Sequence, residues 1–354
     1  MTVTQALHAG LTPGDPLPRL VLPDPAGGRF DFQHQSVAGD TLVLWLTAEP
    51  PTSERRAAFE ALAGEFATVD ARPFVIATEP LSGESAEASI PVYLDPAWRL
   101  GTALDLSGPG ILVIDPRGRI AAVLPGDAFS EAFVRCRIIH GSAAVIVRRA
   151  GAPVLIVPEV AEAGLRSRLI TYWRAGEKLN DMVASAKDAQ DGRTATKRRS
   201  DVMIQDKALF ELLKARLVTR VLPELRRAFG FETASFEALR VGCYDAAAGG
   251  FFRRHRDNST PYTAHRSFAM SLNLNTGEYE GGQLRFPEFG RDLYEAEAGG
   301  AVVFSCNLLH EALPLTRGRR FAVFTFFADA VGAARERRMI EEQAAAGRQG
   351  VVVK

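Results

Sequence analysis

A small set of residues in the last third of the sequence has the types and spacing of an iron centre. His255 and Asp257 form a His-x-Asp pair, and a second histidine, His310, follows much later in the chain. Two imidazoles and one carboxylate form the facial ligand set of mononuclear non-haem Fe(II) sites, which leaves metal positions open for a bidentate cosubstrate and for O₂. The pattern therefore predicts an Fe(II) centre held by these three side chains.

A His-x-Asp pair with a distant histidine also arises by chance, so the prediction depends on the residues around it. Arg320 begins an apolar run, 320–327, that is typical of a buried strand. Burying a guanidinium without a partner is costly, and the far carboxylate of a dicarboxylic cosubstrate would accept a bidentate contact from it. Arg319 has the opposite strand parity and is predicted to be solvated. Tyr244 either places its hydroxyl beside the same carboxylate or is an ordinary core tyrosine.

The elements that must position these residues are predicted to be short strands. Apolar residues alternate with small or polar ones over 267–275, and glycine pairs at 281–282 and 299–300 precede further strands. Such a series predicts a sandwich or a barrel. His255 and Asp257 then point the same way in extended backbone, and a rolled sheet can bring the second histidine opposite them.

A long amphipathic helix is predicted ahead of these strands, over 207–229, where it would cover the outside of one sheet. Pro223 should kink this helix or split it in two. The polar stretch 180–200 is predicted to be an exposed loop, and with 258–266 it is a candidate lid over the substrate. The tail after residue 330 is predicted to be a solvated helix.

Composition sets the broad class of the protein. The 354 residues allow two domains, and the 42 basic and 42 acidic residues give no net charge, which argues against nucleic acid and anionic membranes as partners. No apolar stretch reaches the length that spans a bilayer, so a soluble cytoplasmic protein is expected. The three cysteines form no CxxC pair, which favours reduced thiols. The basic clusters 148–149, 197–199 and 253–254 are predicted to be solvated.

Strands alternate with helices in the first half of the chain and end in a hairpin at 116–118, which is a thioredoxin-like order. With the opening Gly14–Pro18, the strand 42–46 and the run 108–118, this half resembles the peroxiredoxin family. The resemblance implies an α/β thioredoxin-like fold with a cis proline at Pro109.

The resemblance to peroxiredoxins fails at the residue that carries their chemistry. Their peroxide-reducing cysteine should follow the strand 42–46, but residues 47–54 contain no cysteine. A thiol peroxidase without its thiolate has no nucleophile, and Cys136 is predicted to be a packed small residue. We therefore expect a structural, dimerising or substrate-presenting role for this half, which leaves a homodimer open.

Residues 153–328 resemble the prolyl 4-hydroxylase-like branch of the 2-oxoglutarate and Fe(II)-dependent dioxygenases. The matching motifs are Arg240-x-x-x-Tyr244, Phe252 with His255-x-Asp257, 271–275, Gly281-Gly282-x-Leu284-x-Phe286, Gly299-x-Ala301-x-x-Phe304 and 310–320. The resemblance implies a double-stranded β-helix (a jelly-roll, cupin-like fold) with flanking helices. It also implies Fe(II) on the three ligands, 2-oxoglutarate on Arg320 and Tyr244, O₂ as second cosubstrate, and ascorbate as reductant.

The expected organisation is a thioredoxin-like domain over 1–140, a dioxygenase domain over 150–330 and a helical tail over 331–354. The expected activity is hydroxylation of an unidentified substrate with release of succinate and CO₂. That substrate could be a peptidyl proline, a free amino acid or another small molecule. Two alternatives stay open: a scaffold in which catalysis is vestigial, and a peroxide-handling enzyme acting through the first half.

Overall fold

A computed structural model describes residues 10–34, 36–81, 90–142, 151–180 and 197–345. The chain divides into two compact units, Met1–Val147 and Arg148–Lys354. Most of the predicted lid over 180–200 falls at 181–196, outside the described residues, as do the basic pair 148–149 and the ends of the chain. Within the described ranges, no helix combines the length and the apolar character that crossing a lipid bilayer requires.

The first unit is built on a mixed sheet. Its elements in chain order are β1 Val21–Pro23, β2 Arg29–Asp31, β3 Thr41–Thr47, α1 Ser53–Ala61, α2 Ala63–Ala67, β4 Ala71–Ala77, β5 Val92–Leu94, α3 Arg99–Ala103, β6 Gly110–Ile114, β7 Ile120–Pro125 and α4 Phe129–Ser142. Strands β3 to β7 form a five-stranded sheet in the order β5-β4-β3-β6-β7. In this sheet β3, β4 and β5 are parallel, and β6 and β7 are antiparallel.

Both faces of this sheet are buried. On one face, Val43 and Trp45 of β3 pack in a core with residues of α1, α2 and α4. On the other face, Leu44 packs against α3 and the segment before β3. The helices α1 and α2 are separated at Leu62. The expectation of a cis peptide bond at Pro109 was wrong, because the described residues contain no cis peptide bond. The trans form found there is the lower-energy form of an X–Pro bond.

The second unit is rich in short strands. Its elements are β8 Val154–Val157, α5 Ala163–Ala175, β9 Leu179–Asn180, β10 Lys197–Arg198, β11 Ser200–Met203, α6 Lys207–Arg220, α7 Leu222–Phe229, β12 Ser235–Phe236, β13 Arg240–Asp245, β14 Phe251–His255, β15 Phe268–Asn273, β16 Glu280–Gly281, β17 Leu284–Arg285, β18 Leu293–Tyr294, β19 Ala301–Ser305, β20 His310–Ala312, β21 Leu315–Arg317, β22 Arg319–Ala328 and α8 Ala330–Ala345.

These strands form two main sheets. The larger has the order β8-β19-β15-β22-β13-β11-β9, with β12 pairing to β22, and the smaller has the order β10-β14-β20-β17-β18. One face of the larger sheet packs against α5, α6 and α7 through a leucine-rich core. A second core, which includes Tyr244, Phe286 and Phe304, joins residues of the larger and the smaller sheet. The predicted jelly-roll-like sandwich with flanking helices is therefore present.

The helices on the larger sheet begin and end where the sequence indicates. The Asp206 side chain accepts a hydrogen bond from the backbone N–H of Leu209 at 2.6 Å and so caps α6. The predicted split at Pro223 is confirmed, since α6 ends at Arg220 and α7 begins at Leu222. Gly230 ends α7 in the left-handed conformation. Together these helices cover one face of the sheet and leave the other free to form a site.

Candidate metal centre

The smaller sheet brings the predicted ligands together. β14 pairs antiparallel with β20, and in this register His255 lies directly opposite His310. Side chains opposite each other in antiparallel strands are close neighbours. Asp257 stands in the turn that follows β14, where its backbone N–H donates to the carbonyl of Cys306 at 3.2 Å. Pairing of two strands that are distant in sequence therefore assembles the triad.

The three side chains converge on one point. The Nε2 atom of His255 lies 3.3 Å from Asp257 Oδ1, and the Nε2 atom of His310 lies 3.4 Å from Asp257 Oδ2. One ligand atom from each of the three residues lies within 4.8 Å of the others. Two imidazole nitrogens and one carboxylate at this spacing are a donor set that suits Fe(II) and leaves metal positions open.

The backbone fixes which imidazole nitrogen is available to a metal. The Nδ1–H of His255 donates to the carbonyl of Arg253 at 2.7 Å, and the Nδ1–H of His310 donates to the carbonyl of Leu308 at 3.0 Å. A hydrogen bond at Nδ1 holds the tautomer whose Nε2 carries the lone pair. Both histidines therefore direct Nε2 towards Asp257 in the form that binds a metal.

The protonation states also suit metal binding. Burial lowers the pKa of His310, which keeps its imidazole neutral, although Asp257 opposes this shift. Burial on its own would raise the pKa of Asp257, but the positive charge that His310 and His255 carry when protonated outweighs it and leaves this pKa below its usual range. Asp257 is therefore a carboxylate at neutral pH, and a divalent metal would supply the positive charge beside it while binding His310 in the neutral form that burial favours.

Aromatic rings hold the two imidazoles in place. The ring of Phe252 stacks on His255 with centroids 3.6 Å apart, and the ring of Phe304 meets His310 edge-on at 4.6 Å. Packing of this kind restricts rotation of the ligand rings and excludes water from one side of the centre. The predicted ligands are thus oriented both by hydrogen bonds and by contacts.

Arg320 is buried in the same cavity, with 2% of its surface exposed. Its Nη2 donates to Ser271 Oγ and to Asn273 Oδ1, both at 2.9 Å. Its Nε and Nη1 are buried and have no hydrogen-bond partner among the described residues. An unpaired buried guanidinium edge is costly, so these donors fit a carboxylate. Arg319 is exposed and pairs with Asp245 at 2.7 Å, as strand parity predicts.

Tyr244 and the glycine pair shape the environment of Arg320. Tyr244 is buried and lies opposite Arg320 in the pairing of β13 with β22, with its ring 5.5 Å from the guanidinium carbon. Gly281 and Gly282 both have positive φ values, which glycine adopts without strain. A Cβ on Gly282 would lie 2.5 Å from Leu315 and 3.2 Å from the Arg320 stem. The glycine pair therefore leaves the space that this stem occupies.

A cavity of about 400 Å³ joins the triad and Arg320. It is also lined by Lys197, Arg199, Arg240 and Arg266. The prediction that the cluster 197–199 is solvated holds for Arg198, which is exposed, but was wrong for Lys197 and Arg199, whose side chains are buried. The physical reason is the carboxylate of Asp201, which lies 2.5 Å from Arg199 and 3.8 Å from Lys197 and so compensates their burial.

These cavity-lining cations were missed as functional candidates. The sequence could have indicated a functional role for Arg240, since this residue shares a strand face with Tyr244 at the start of an otherwise apolar strand. No such indication exists for Arg266, since its partner Glu237 is distant in sequence. Among the other described histidines, His265 is buried and its Nε2 lies 2.9 Å from Glu237 Oε1.

Gly242 on β13 makes room for Arg199 and its partner Asp201. A Cβ at this position would lie 2.6 Å from Asp201 Oδ1, 2.7 Å from a ring carbon of Phe324 and 3.0 Å from Cδ of Arg199. Gly242→Ala is therefore expected to destabilise the protein by about 1–3 kcal/mol through overpacking, measured as the free energy of unfolding in denaturant. Gly164→Ala is the control, because Gly164 is exposed in α5 and a Cβ there meets nothing within 4 Å. Equal unfolding free energies for the two variants would contradict this account.

Comparison with known proteins agrees with the geometry of the second unit. The profile of the 2OG-Fe(II) oxygenase superfamily matches residues 239–328, the segment that contains the triad and Arg320. The second unit therefore contains a 2OG-Fe(II) oxygenase domain, for which Fe(II), 2-oxoglutarate and O₂ are the implied cofactor and cosubstrates.

Several proteins similar to this chain are hydroxylases. A PKHD-type hydroxylase of Azoarcus sp. strain BH72 is 33% identical over 107 residues, 25% of this chain and 47% of that protein. One from Nitrosomonas europaea is 34% identical over 111 residues, 26% of this chain and 48% of that protein. The chain thus spans about half the length of these curated relatives. A solved prolyl-4-hydroxylase of Pseudomonas putida is 22% identical, with a TM-score of 0.39, over 50% of this chain and 92% of that one.

Proposed function

We propose that the chain is an Fe(II)- and 2-oxoglutarate-dependent dioxygenase that hydroxylates a substrate and releases succinate and CO₂. The single observation that carries the proposal is the convergence of His255, Asp257 and His310 beside a buried arginine with free donors. Neither feature has a structural purpose of its own, because buried charges and unpaired donors cost stability. Together they match the needs of a metal and a dicarboxylate.

The residues would divide the work as follows. His255, Asp257 and His310 would hold Fe(II), and Arg320 would bind the far carboxylate of 2-oxoglutarate through Nε and Nη1, with Tyr244 beside it. Iron held there would supply the oxidative decarboxylation of 2-oxoglutarate by O₂, in which one oxygen atom enters succinate and the other is inserted into a C–H bond of the substrate. The protein's contribution is to orient the reactants, to keep His310 neutral, and to exclude water with Phe252 and Phe304.

The proposal is tested by succinate formation. Purified chain with Fe(II), 2-oxoglutarate and ascorbate under air should release succinate, and a chelator added before the cosubstrate should stop this release. Ascorbate is our expectation for the reductant, and omitting it tests that expectation in the same assay. Iron-dependent succinate would support the proposal. Absence of succinate together with absence of bound iron would refute it in favour of a scaffold role.

We propose one type of reaction but leave several classes of substrate open. A peptidyl proline, a free amino acid and another small molecule are all compatible with the names of the similar hydroxylases. We also propose that the segment 258–266 acts as a lid, because Ser259, Thr260, Thr263 and Arg266 line the cavity while Tyr262 is exposed. Substrate together with 2-oxoglutarate should then slow proteolysis in this segment, and unchanged proteolysis would rule the lid out.

For the first unit we propose a thioredoxin-like domain of peroxiredoxin type that lacks the reactive cysteine, with a presenting or dimerising role. The parallel order of β3, β4 and β5 and the antiparallel β6 and β7 support this proposal. We further propose that the two domains span 1–140 and 150–330 and are followed by a helical tail. We also propose that the protein is cytoplasmic.

The first unit is expected not to reduce peroxide. Burial raises the pKa of Cys136 to about 12, so its thiol stays protonated at neutral pH, and no other cysteine occurs in this unit. Iron-free protein should therefore consume hydrogen peroxide in the presence of dithiothreitol no faster than its Cys136→Ser variant does. Faster consumption by the native chain would revive the peroxide-handling alternative.

A further inference from the structure

The cavity has a second cationic region, which lies away from Arg320. In the pairing of β13 with β22, Tyr244 is opposite Arg320, whereas Arg240 is opposite Phe324. With about 3.3 Å of rise per residue, Arg240 lies about 13 Å further along the sheet. Both arginines line the same cavity. The region around Arg240 is therefore separate from the part of the cavity in which 2-oxoglutarate would bind.

Two neighbours of Arg240 already have carboxylate partners. Arg199 donates to both carboxylate oxygens of Asp201, at 2.6 and 2.5 Å. Arg266 donates to both carboxylate oxygens of Glu237, at 2.5 and 2.9 Å. Bidentate pairs of this kind satisfy a guanidinium strongly. We call Arg199, Arg240 and Arg266 with their two acids the arginine cluster.

Arg240 is the member of the cluster without such a partner. Its Nε is excluded from solvent and has no hydrogen-bond partner in the described part of the chain. Burial, followed by the nearby charge of Arg199, lowers the pKa of Arg240, and the carboxylates of Asp201 and Glu237 do not offset this. An anion in the cavity that accepted a hydrogen bond from this buried guanidinium would stabilise the protein, since leaving a buried donor unpaired costs stability.

Aromatic rings form the floor of this region. The guanidinium of Arg199 lies over Phe324 at 3.9 Å, and that of Arg266 lies over Phe326 at 3.8 Å. Both rings are only partly buried and face the cavity, where the guanidinium carbon of Arg240 is 5.6 Å from the Phe326 ring. Stacked guanidinium groups are held in fixed orientations. The surroundings of Arg240 are thus rigid and preorganised.

The arginine cluster also borders the metal centre. The Nη1 atom of Arg266 donates to the backbone carbonyl of Asp257 at 3.3 Å. A molecule that contacts Arg240 would therefore extend from the cluster towards the ligand turn, where chemistry would occur. This is the position expected for the substrate of the proposed reaction, on the side of the cavity away from Arg320.

We propose that Arg240 binds a carboxylate of the substrate, so that the substrate is a carboxylic acid. The inference rests on the proposed function and narrows its substrate class. A carboxylate fits because only one guanidinium in the cluster is free and its planar edge matches one planar monoanion. A phosphate would require further free donors, which Arg199 and Arg266 have already committed to acids.

The test is binding, measured without turnover. Protein loaded with Mn(II) in place of Fe(II) and saturated with 2-oxoglutarate is titrated by calorimetry. The probes are the common L-amino acids and simple monocarboxylic acids, each beside its primary amide, and short peptides with free or amidated C-termini. We expect at least one acid to bind about tenfold or more tightly than its amide, the gain typical of a charged hydrogen bond. The free acids and the peptides distinguish a small-molecule carboxylate from a chain terminus.

The variants localise the effect. Arg240→Gln should abolish the preference for acids over amides, and Arg240→Lys, which keeps the charge but not the fork, should retain part of it. Arg226→Gln is the matched control, because Arg226 is exposed on α7 and should leave the preference unchanged. The inference would be overturned if no acid bound better than its amide, if Arg240→Gln kept the preference, or if inorganic phosphate displaced the acid as effectively as other carboxylates.

The two proposals fail in different ways. Failure of the proposed function would appear as absence of both iron-dependent succinate and bound iron in the native chain, whatever the probes bind. Failure of the proposal that the substrate is a carboxylic acid would appear as equal binding of acids and amides by a protein that does form succinate.

Discussion

Replacing His255 by alanine is expected to remove both iron binding and succinate formation. The variant loses one of three donors and leaves the Asp257 carboxylate in a buried position with only His310 beside it. Loss of an outer-shell contact alone typically lowers metal affinity 10- to 100-fold, so loss of a ligand should lower it by more than about 100-fold. Iron content after dialysis and succinate release measure the two effects separately.

Arg253→Ala is the matched control for this experiment. Arg253 lies on the same strand and is exposed, and only its backbone carbonyl contacts His255. Iron content and turnover should therefore remain close to those of the native chain. Iron bound normally by His255→Ala would mean that the metal, if any, is held elsewhere, and the assignment of the triad would be withdrawn.

Replacing Arg320 by alanine is expected to raise the KM for 2-oxoglutarate about 100-fold or more while leaving iron binding intact. The change removes two donors, Nε and Nη1, and each charge-assisted hydrogen bond contributes about 1.5–3 kcal/mol. Because the carboxylate they would bind is remote from the reacting bond, the loss should appear mainly in KM. Initial rates over a range of 2-oxoglutarate concentrations provide the measurement.

Arg319→Ala gives this experiment a control one residue away. Arg319 is on the same strand but faces solvent, where it pairs with Asp245. Its removal should leave the KM unchanged, while Arg320→Lys should fall between the two, because lysine keeps the charge and loses the planar fork. A KM equally affected in the Arg319 and Arg320 variants would indicate a general loss of structure and not a lost carboxylate contact.

The sequence was sufficient for the parts of the site that depend on local spacing. His255 and Asp257 stand two apart, and Arg320 shows its burial through the apolar strand that it begins. The split of the helical region at Pro223 followed from the missing N–H and fixed φ of proline. In each case the residue type and its neighbours in sequence contained the physical reason.

The parts that the sequence did not reveal depend on pairing between distant residues. The pairing of His255 with His310 across β14 and β20 is a matter of sheet register, which spacing alone leaves open. The sequence gives no sign that Arg266 is paired, because its partner Glu237 belongs to a different segment. The prediction of a solvated Arg199 overlooks Asp201, the partner two residues later that allows its burial.

The metal ligands and the arginine cluster differ in how far point mutations can alter them, because the hydrogen bonds at Nδ1 of the two histidines involve the main chain. These bonds end on backbone carbonyls of Arg253 and Leu308, so substitution of those side chains does not remove the acceptors. The arginine cluster, in contrast, consists of side chains and can be rebuilt residue by residue. Enzyme engineering could therefore redirect substrate preference through Arg240 and its neighbours while the orientation of the metal ligands is inherited unchanged from the main chain.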